Sequence, residues 1–310
     1  MSEKKKNIGG QAVIEGVMMR APNKFVIAVR QPNGIIAVKR DDIKLDSNKI
    51  LKKPILRGLI GLYDALVLGI KALNFSAEKA MPDEFEKEGQ SSKLETFFSM
   101  GLGLLLGILL FLYLPLQLTE LSKKLFPIVE HSFLVFNFVD GVIRIIFFVL
   151  YLLIISQMKD IKRVFSYHGA EHKCIFTYEQ GQELTIENAR KMSRFHPRCG
   201  TSFLLIVLIV SIFVFSLIPK DSHFLIKLSS RIIFMPLIAG ISYEILKLSG
   251  RYADNFIVKI LIAPGLWLQH ITTREPDDSM LEVAIVSIKE ALRKDDDETY
   301  QKPENVEYCN

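Results

Sequence analysis

The sequence predicts a mainly α-helical membrane protein with a small cytoplasmic β unit at its N-terminus. Hydrophobic residues make up 49% of the 310 positions, a share that an ordinary soluble domain also approaches. Their distribution is more informative, because long apolar runs fill the chain from about residue 97 to residue 271, while both ends are densely charged. Apolar runs of this length are typical of helices that cross a bilayer.

Residues 1–50 are predicted to form the β unit. Strong turn chemistry in Gln31-Pro32-Asn33-Gly34 separates two β-prone runs and predicts a hairpin. Glu15 is an acid inside the first apolar strand, a position that favours the solvated face over a functional site. The predicted strands cover residues 12–19, 25–30 and 35–38.

Residues 51–95 are predicted to be an interfacial amphipathic helix followed by a linker at 81–93. The helical run over residues 55–80 is long and apolar, but Arg57, Asp64 and Lys71 interrupt it. Charges are costly in the bilayer core. A helix that lies along the membrane surface therefore fits this run better than a span does.

Residues 96–273 are predicted to form the transmembrane region. A further apolar segment, 256–271, contains a lysine and a Pro-Gly pair, so it fits a fifth span, a re-entrant segment or an interfacial helix. Asp140 and Arg144 lie one helical turn apart inside the second span. They are interpreted as a structural ion pair, with a polar cavity as the alternative. The four predicted spans are 97–118, 133–156, 203–218 and 231–248.

Lysine and arginine cluster before the first span and in segment 158–202, whereas the turns between the spans carry few. This asymmetry predicts a cytoplasmic N-terminus, a cytoplasmic segment 158–202 and a cytoplasmic tail, 274–310. The tail is expected to hold one amphipathic helix, 281–292, and to be disordered after Lys294. Anionic lipid headgroups explain the net charge of +5 better than nucleic acid does. The predicted partners are therefore the lipid bilayer and, as a further class, other membrane proteins.

The stretch from Tyr167 to Cys174 contains His168, Glu171 and His172, the H-x-x-E-H pattern of inverted zinc peptidases. Residues three and four apart share one face of a helix, so both imidazoles can reach one ion with the carboxylate beside them. In a first model, His168, His172 and Glu244 bind Zn²⁺ or another divalent ion and a water fills the fourth position. Glu171 is then the catalytic proton acceptor.

A second candidate ligand cluster, His196 and Cys199, precedes the third predicted span. Residues three apart in a loop with Pro and Gly can bind zinc through nitrogen and sulfur. In a second model, these two residues join His168 and His172 in a closed tetrahedral site. A closed site has a structural role, whereas an open one supports chemistry.

Three motifs resemble the YqhQ-like family of bacterial multi-pass membrane proteins. They are GGQAVIEGVMMR at 9–20, YHGAEHK at 167–173 and HPRCGT at 196–201. The family carries the label of predicted metal-dependent enzyme, without an established reaction. The resemblance implies a bacterial plasma-membrane location and supports His168, Glu171 and His172 as a site.

The predicted function is that of a membrane-embedded, zinc-type hydrolase with its site at the cytoplasmic face, acting on a membrane peptide or lipid. The alternative is a non-enzymatic membrane scaffold, or a partner of other membrane proteins, with a structural metal or none. A third interpretation, a transporter, requires Asp140 and Arg144 to line a water-filled path.

Overall fold

The computed structural model describes residues 8–43, 53–89, 93–218, 222–251, 255–293, 303 and 305–309. One sheet contains five strands in the spatial order β1 (Gly9–Val13), β2 (Gly16–Arg20), β3 (Lys24–Arg30), β4 (Ile36–Asp42) and β5 (Val306–Cys309). The first four strands pair antiparallel, and β5 adds to β4 in parallel.

Helices occupy most of the remaining described chain, and a π-helical turn at Leu109–Tyr113 joins α3 to α4. In chain order the helices are α1 (Leu56–Ala80), α2 (Pro82–Gly89), α3 (Lys93–Ile108), α4 (Leu114–Ser122), α5 (Pro127–His131), α6 (Phe133–Ile155), α7 (Lys159–Glu179), α8 (Ile186–Lys191), α9 (Gly200–Phe215), α10 (Phe224–Ile233), α11 (Met235–Arg251), α12 (Phe256–Thr272) and α13 (Asp278–Leu292).

The sheet is the middle layer of three. Side chains alternate between its faces, so Val17 and Met19 pack against α7 and α13, while Met18 packs against α1. Both faces are apolar for that reason, which makes 16–19 a continuous buried run. The layer that carries the H-x-x-E-H helix is thus fixed directly onto the β unit.

The predicted hairpin at 31–34 is confirmed, with Gly34 at a φ of 88°. The single predicted strand 12–19 is wrong, because it is a second hairpin that turns at Ile14-Glu15. Glu15 adopts a φ of 50°, and a Cβ on Gly16 would lie 2.3 Å from Ala28 O. The Glu15 carboxylate does not face solvent alone, since it accepts hydrogen bonds from Arg163 and from the Tyr167 hydroxyl on α7.

The described residues of segment 274–310 pack into the fold and do not form a separate tail. Its predicted helix is confirmed as α13, whose apolar face lies in the core beneath the sheet. Residues 294–302 lie outside the described residues, but the predicted disorder is wrong for Val306–Cys309, which forms β5. Two contacts attach this strand to the fold. Val306 is buried, and the Tyr308 hydroxyl donates to Glu290 Oε1 at 2.5 Å.

The predicted helix at 55–80 is confirmed as α1, and part of the expected linker is also helical, as α2. Gly58 on α1 allows close contact with α11, because a Cβ there would lie 2.9 Å from Tyr243 Cβ. In the C-terminal half of α1, Leu68, Ala72 and Phe75 pack against the sheet. This helix therefore connects the β unit to the apolar helices.

The apolar helices identify a membrane-associated protein. Within the described residues, Gly101–Ser122 and Phe133–Ile155 are long and apolar enough to span a bilayer. A third candidate is the pair Phe224–Ile233 and Met235–Leu248, which bends by 46°. The predicted span 203–218 is instead the 16-residue helix Gly200–Phe215, about 24 Å long against a hydrocarbon core of about 30 Å. The four-span count is therefore not confirmed by helix length.

Asp140 and Arg144 form a buried ion pair of 2.7 Å, and the same carboxylate oxygen lies 2.9 Å from Arg231 Nη2 on α10. Both guanidinium groups also lie over the Phe215 ring, at 5.1 and 5.0 Å. Cation–π contact stabilises cations that are shielded from water. This arrangement connects α6, α9 and α10, as the structural interpretation of the pair expects.

Candidate metal centre

Three potential metal-binding side chains meet where α7 faces the start of α9. His168 and His172 come from α7, and Cys199 is the N-cap residue of α9. One donor atom from each lies within 4.8 Å of the others, and the two imidazole centroids are 4.4 Å apart. The histidine pair is therefore brought together with Cys199 of the second predicted cluster, although 26 residues separate His172 from Cys199.

Both histidines are held in the tautomer that a metal ligand requires. His168 Nδ1 donates to Thr272 O at 2.8 Å, and His172 Nδ1 donates to Arg194 O at 2.5 Å. A carbonyl only accepts, so the proton lies on Nδ1 and the lone pair on Nε2. Metal-binding histidines usually make this type of outer hydrogen bond.

The two Nε2 atoms have different surroundings. His168 Nε2 lies 3.2 Å from Cys199 Sγ. His172 Nε2 is buried and has no hydrogen-bond partner among the described residues. An unsatisfied buried acceptor is costly, and an ion bound between the three donors would satisfy it. Burial lowers the pKa of His172, which favours the neutral imidazole that binds metals.

Gly169 allows the chain that follows α12 to cross α7 at the site. A Cβ at this position would lie 2.1 Å from Arg274 O. The crossing is fixed by the Arg274 N–H, which donates to Phe165 O at 2.8 Å. It also places the Thr272 carbonyl against the His168 imidazole.

We expect Gly169→Ala to lower the free energy of unfolding by about 1–3 kcal/mol. The added methyl group clashes with backbone, and a rotamer change cannot relieve that clash. Thermal unfolding in detergent measures the effect. Gly103→Ala is the matched control, since a Cβ at this helical position meets nothing within 4 Å. Equal melting temperatures for the two variants would contradict the prediction.

Glu171 faces β1 from the same helix. A Cβ at Gly10 would lie 3.0 Å from Glu171 Oε1 and 2.7 Å from Met18 O, so glycine permits the approach. Burial raises the pKa of Glu171, while His168, His196 and the Gly10 N–H that donates to the carboxylate act in the opposite direction. A carboxyl with a raised pKa is suited to exchange protons near neutral pH.

A cavity of about 590 Å³ opens beside the three donors. Its walls come from β1, α1, α7, α9 and α11, and they include both apolar and polar side chains. The lining includes Glu171, Cys199, Gly61, Leu204 and Tyr243. Both the candidate ligands and the candidate proton acceptor therefore face one space large enough for a small substrate.

His196 lies next to the donors but both of its ring nitrogens have other partners. Nδ1 accepts from the Arg198 N–H at 3.2 Å, and Nε2 lies 3.3 Å from Glu179 Oε2. Its ring centroid is 5.6 Å from that of His172, and burial lowers its pKa to about 4. This neutral imidazole supports the loop that carries Cys199.

Glu244 is not among the clustered donors. Its carboxylate pairs with Arg57, whose Nε lies 2.6 Å from Oε1 and whose Nη2 contacts Oε2. The pair connects α1 to α11. The sequence does not indicate which helix packs against α1. The pairing of Arg57 with Glu244 was therefore not predicted.

The roles of Gln269, Thr272 and Gly169 at the site were not predicted from the sequence. Gln269 is fully buried on α12, where it accepts from the His196 N–H at 2.7 Å and donates to His196 O at 2.8 Å. This two-bond contact fixes the loop before Cys199. A glutamine at the end of an apolar helix is a signal for such a role, but it does not reveal the partner.

Comparison with known proteins places the chain in a family. A family model described as "Protein of unknown function (DUF1385)" matches residues 53–294. The chain belongs to the DUF1385 family. It is also 39% identical over 310 residues to the "Uncharacterized protein YqhQ" of Bacillus subtilis (strain 168), with 95% of each sequence covered. The resemblance to the YqhQ-like family is thus confirmed.

The matched DUF1385 range includes all three donors and Glu171, together with the apolar helices. It begins after β4, so β1, which carries Gly10, lies outside it. The similarity to YqhQ extends over nearly the whole chain and is not limited to this range. No solved structure matches the chain.

Proposed function

We propose that this DUF1385-family protein is a membrane-bound, metal-dependent hydrolase. His168, His172 and Cys199 would hold its ion, Zn²⁺ or another divalent metal. The observation that carries the proposal is the meeting of these three donors within 4.8 Å, with both imidazole lone pairs on Nε2. A mixed set of nitrogen and sulfur ligands suits zinc.

The number of available ligands favours an open site. Catalytic zinc sites use three protein ligands and keep one position for water or substrate. His196 has partners on both ring nitrogens and Glu244 is paired with Arg57. Three protein ligands therefore remain, beside a cavity of about 590 Å³.

The reaction follows from the groups that line this cavity. When bound, the ion would lower the pKa of a water molecule toward neutrality. The Glu171 carboxylate would accept a proton from water as the water oxygen attacks the carbonyl or phosphoryl centre of the substrate. Glu171 would then return the proton to the leaving group. Gly10 positions Glu171 by allowing β1 to approach it.

The proposed location is the bacterial plasma membrane, with a multi-pass chain and a cytoplasmic N-terminus. The excess of Lys and Arg in segment 158–202 supports this orientation. In a four-span arrangement the spans are α3 with α4, α6, α9, and α10 with α11. The short helix α9 packs against α6, α11 and α12, so neighbouring helices cover part of its surface.

The test uses the full-length protein in bacterial membrane extract made in water enriched in ¹⁸O. We expect wild-type protein to release products that carry ¹⁸O, detected by mass spectrometry. Glu171→Gln should reduce this yield by about 10²–10⁴-fold, the usual contribution of a general base. Its metal content should equal that of the wild type.

Two outcomes would overturn the hydrolase proposal. If Glu171→Gln released as much ¹⁸O-labelled product as the wild type, Glu171 would not be the proton acceptor. Wild-type protein that retains metal but releases no ¹⁸O-labelled product would favour the non-enzymatic membrane scaffold with a structural metal. Glu15→Gln is a matched control, because this acid pairs with Arg163 and does not line the cavity.

A further inference from the structure

An apolar groove of about 280 Å³ lies along one face of α9. Leu204, Val207, Leu208, Ser211 and Phe215 line it, at the three- and four-residue spacing of a single helix face. Aromatic side chains of α6 and of the π-helical turn form the opposite wall, namely Phe111, Phe148 and Tyr151. The groove thus lies between helices of the membrane region.

The groove and the metal-centre cavity are neighbours along α9. Leu204 lines both spaces, and it lies five residues after Cys199 on the same helix. An extended molecule with one end near the three donors has the groove within a few residues of α9.

Arg144, Ser211 and Phe215 line the end of the groove that lies farther from Cys199. The Arg144 side chain is 4% exposed, since its guanidinium pairs with Asp140 and lies over the Phe215 ring. The guanidinium therefore already has partners, and the other residues that line the groove are almost all apolar. Such a space favours a hydrocarbon over a polar ligand.

We propose that the substrate of the site is a lipid, or a lipid-linked molecule, whose acyl chain lies in this groove while its hydrolysable group lies at the metal centre. This inference rests on the proposed function. From Leu204 to Phe215 the groove follows α9 for about 16 Å. That length is about half of the hydrocarbon core of about 30 Å, the depth of one leaflet.

The size of the groove decides against a transmembrane peptide helix as the occupant. A helix with side chains is about 10 Å wide, so a 16 Å length of it fills roughly 1,200 Å³. The groove offers about 280 Å³. A narrow, extended acyl chain suits a space of this volume better than a helix does.

The experiment uses the protein in phosphatidylcholine nanodiscs that contain a little phosphatidylglycerol with a photoreactive diazirine in mid-chain. After illumination, mass spectrometry should locate the label on the groove residues of α9 and α6. We expect Leu208→Trp, which fills the groove, to lower this labelling by about tenfold. An acyl chain that can no longer bury two or three of its methylene groups occupies the groove about ten times less often.

Ile209→Trp is the matched control, since Ile209 is the next residue on α9 and does not line the groove. Its labelling should equal that of the wild type. Label spread over lipid-facing residues such as Phe213, and unchanged by Leu208→Trp, would show annular lipid only and overturn the proposal. Val207→Phe narrows the groove by a smaller addition and repeats the test if Leu208→Trp does not fold.

Metal content of the same samples separates this proposal from the proposed function. Groove labelling without bound metal would overturn the metal-dependent hydrolase and leave the acyl site. Bound metal without groove labelling would overturn the acyl chain as the occupant and leave the metal centre. Equal metal content in Leu208→Trp and wild type reports that the fold is intact.

Discussion

Single replacement of His168, His172 or Cys199 is expected to weaken metal binding by more than about 100-fold, the upper end of what loss of an outer-shell partner costs. Each residue supplies one of three donors that lie within 4.8 Å. A site with two remaining protein ligands binds zinc poorly at the concentrations present during purification. Metal analysis of purified His168→Ala, His172→Ala and Cys199→Ser should therefore give occupancies close to zero.

The controls are His196→Gln and Glu244→Gln, which alter the two other sequence-predicted ligands. Both should retain metal, because His196 bonds to Arg198 and Glu179, and Glu244 pairs with Arg57. Loading with Co²⁺ adds a specific readout, since a thiolate ligand gives a charge-transfer absorption band. That band should disappear in Cys199→Ser and persist in Glu171→Gln.

A different pattern would identify a different ligand set. Loss of metal in Glu244→Gln, together with full metal and an unchanged cobalt spectrum in Cys199→Ser, would establish the open site with two histidines and a carboxylate. Loss of metal in His196→Gln as well as in Cys199→Ser would indicate the closed, structural site.

Asp140→Ala is expected to have the largest effect on stability, a loss of about 3–5 kcal/mol. The carboxylate is buried and pairs with both Arg144 and Arg231. Its removal leaves two guanidinium groups in an apolar region without a counter-charge, which is far more costly than losing a pair at the surface. At about 2–4 °C for each kcal/mol, the melting temperature should fall by roughly 10 °C.

Glu120→Ala provides the comparison, because Glu120 also pairs with two cations, Lys123 and Lys227, but its side chain is 26% exposed. Its effect should be clearly smaller. Replacing Asp140, Arg144 and Arg231 together by apolar residues should restore much of the stability. A negligible loss in Asp140→Ala would instead indicate that water reaches the arginines, as the polar-cavity interpretation requires.

Much of the local structure could be predicted from the sequence because its signals are local. Turn chemistry at 31–34 predicted one hairpin, a long apolar run predicted α1, and apolar periodicity predicted α13. The hairpin at Glu15 was missed because an acid with positive φ has no strong signature. Spacing along α7 predicted that His168, Glu171 and His172 lie on one face of the helix, because an α-helix repeats every 3.6 residues.

The choice among distant ligands could not be predicted in this way. Cys199 joins the two histidines because Gln269 on α12 holds the loop before α9, and because Gly169 lets the end of α12 cross α7. Glu244 is kept away by Arg57, which comes from a helix almost 190 residues earlier in the chain. These contacts cannot be inferred from the spacing of the residues along the chain.

The sequence by itself determined the apolar helices, the histidine pair and the family to which the chain belongs. These depend on composition, on helical periodicity and on motif spacing, all of which act over short distances along the chain. Only the tertiary structure decided that the C-terminal residues complete the N-terminal sheet, that Cys199 lies at the histidines, and that an apolar groove adjoins them. Those features depend on packing between segments far apart in sequence, where a glycine or a buried glutamine determines which backbones can meet.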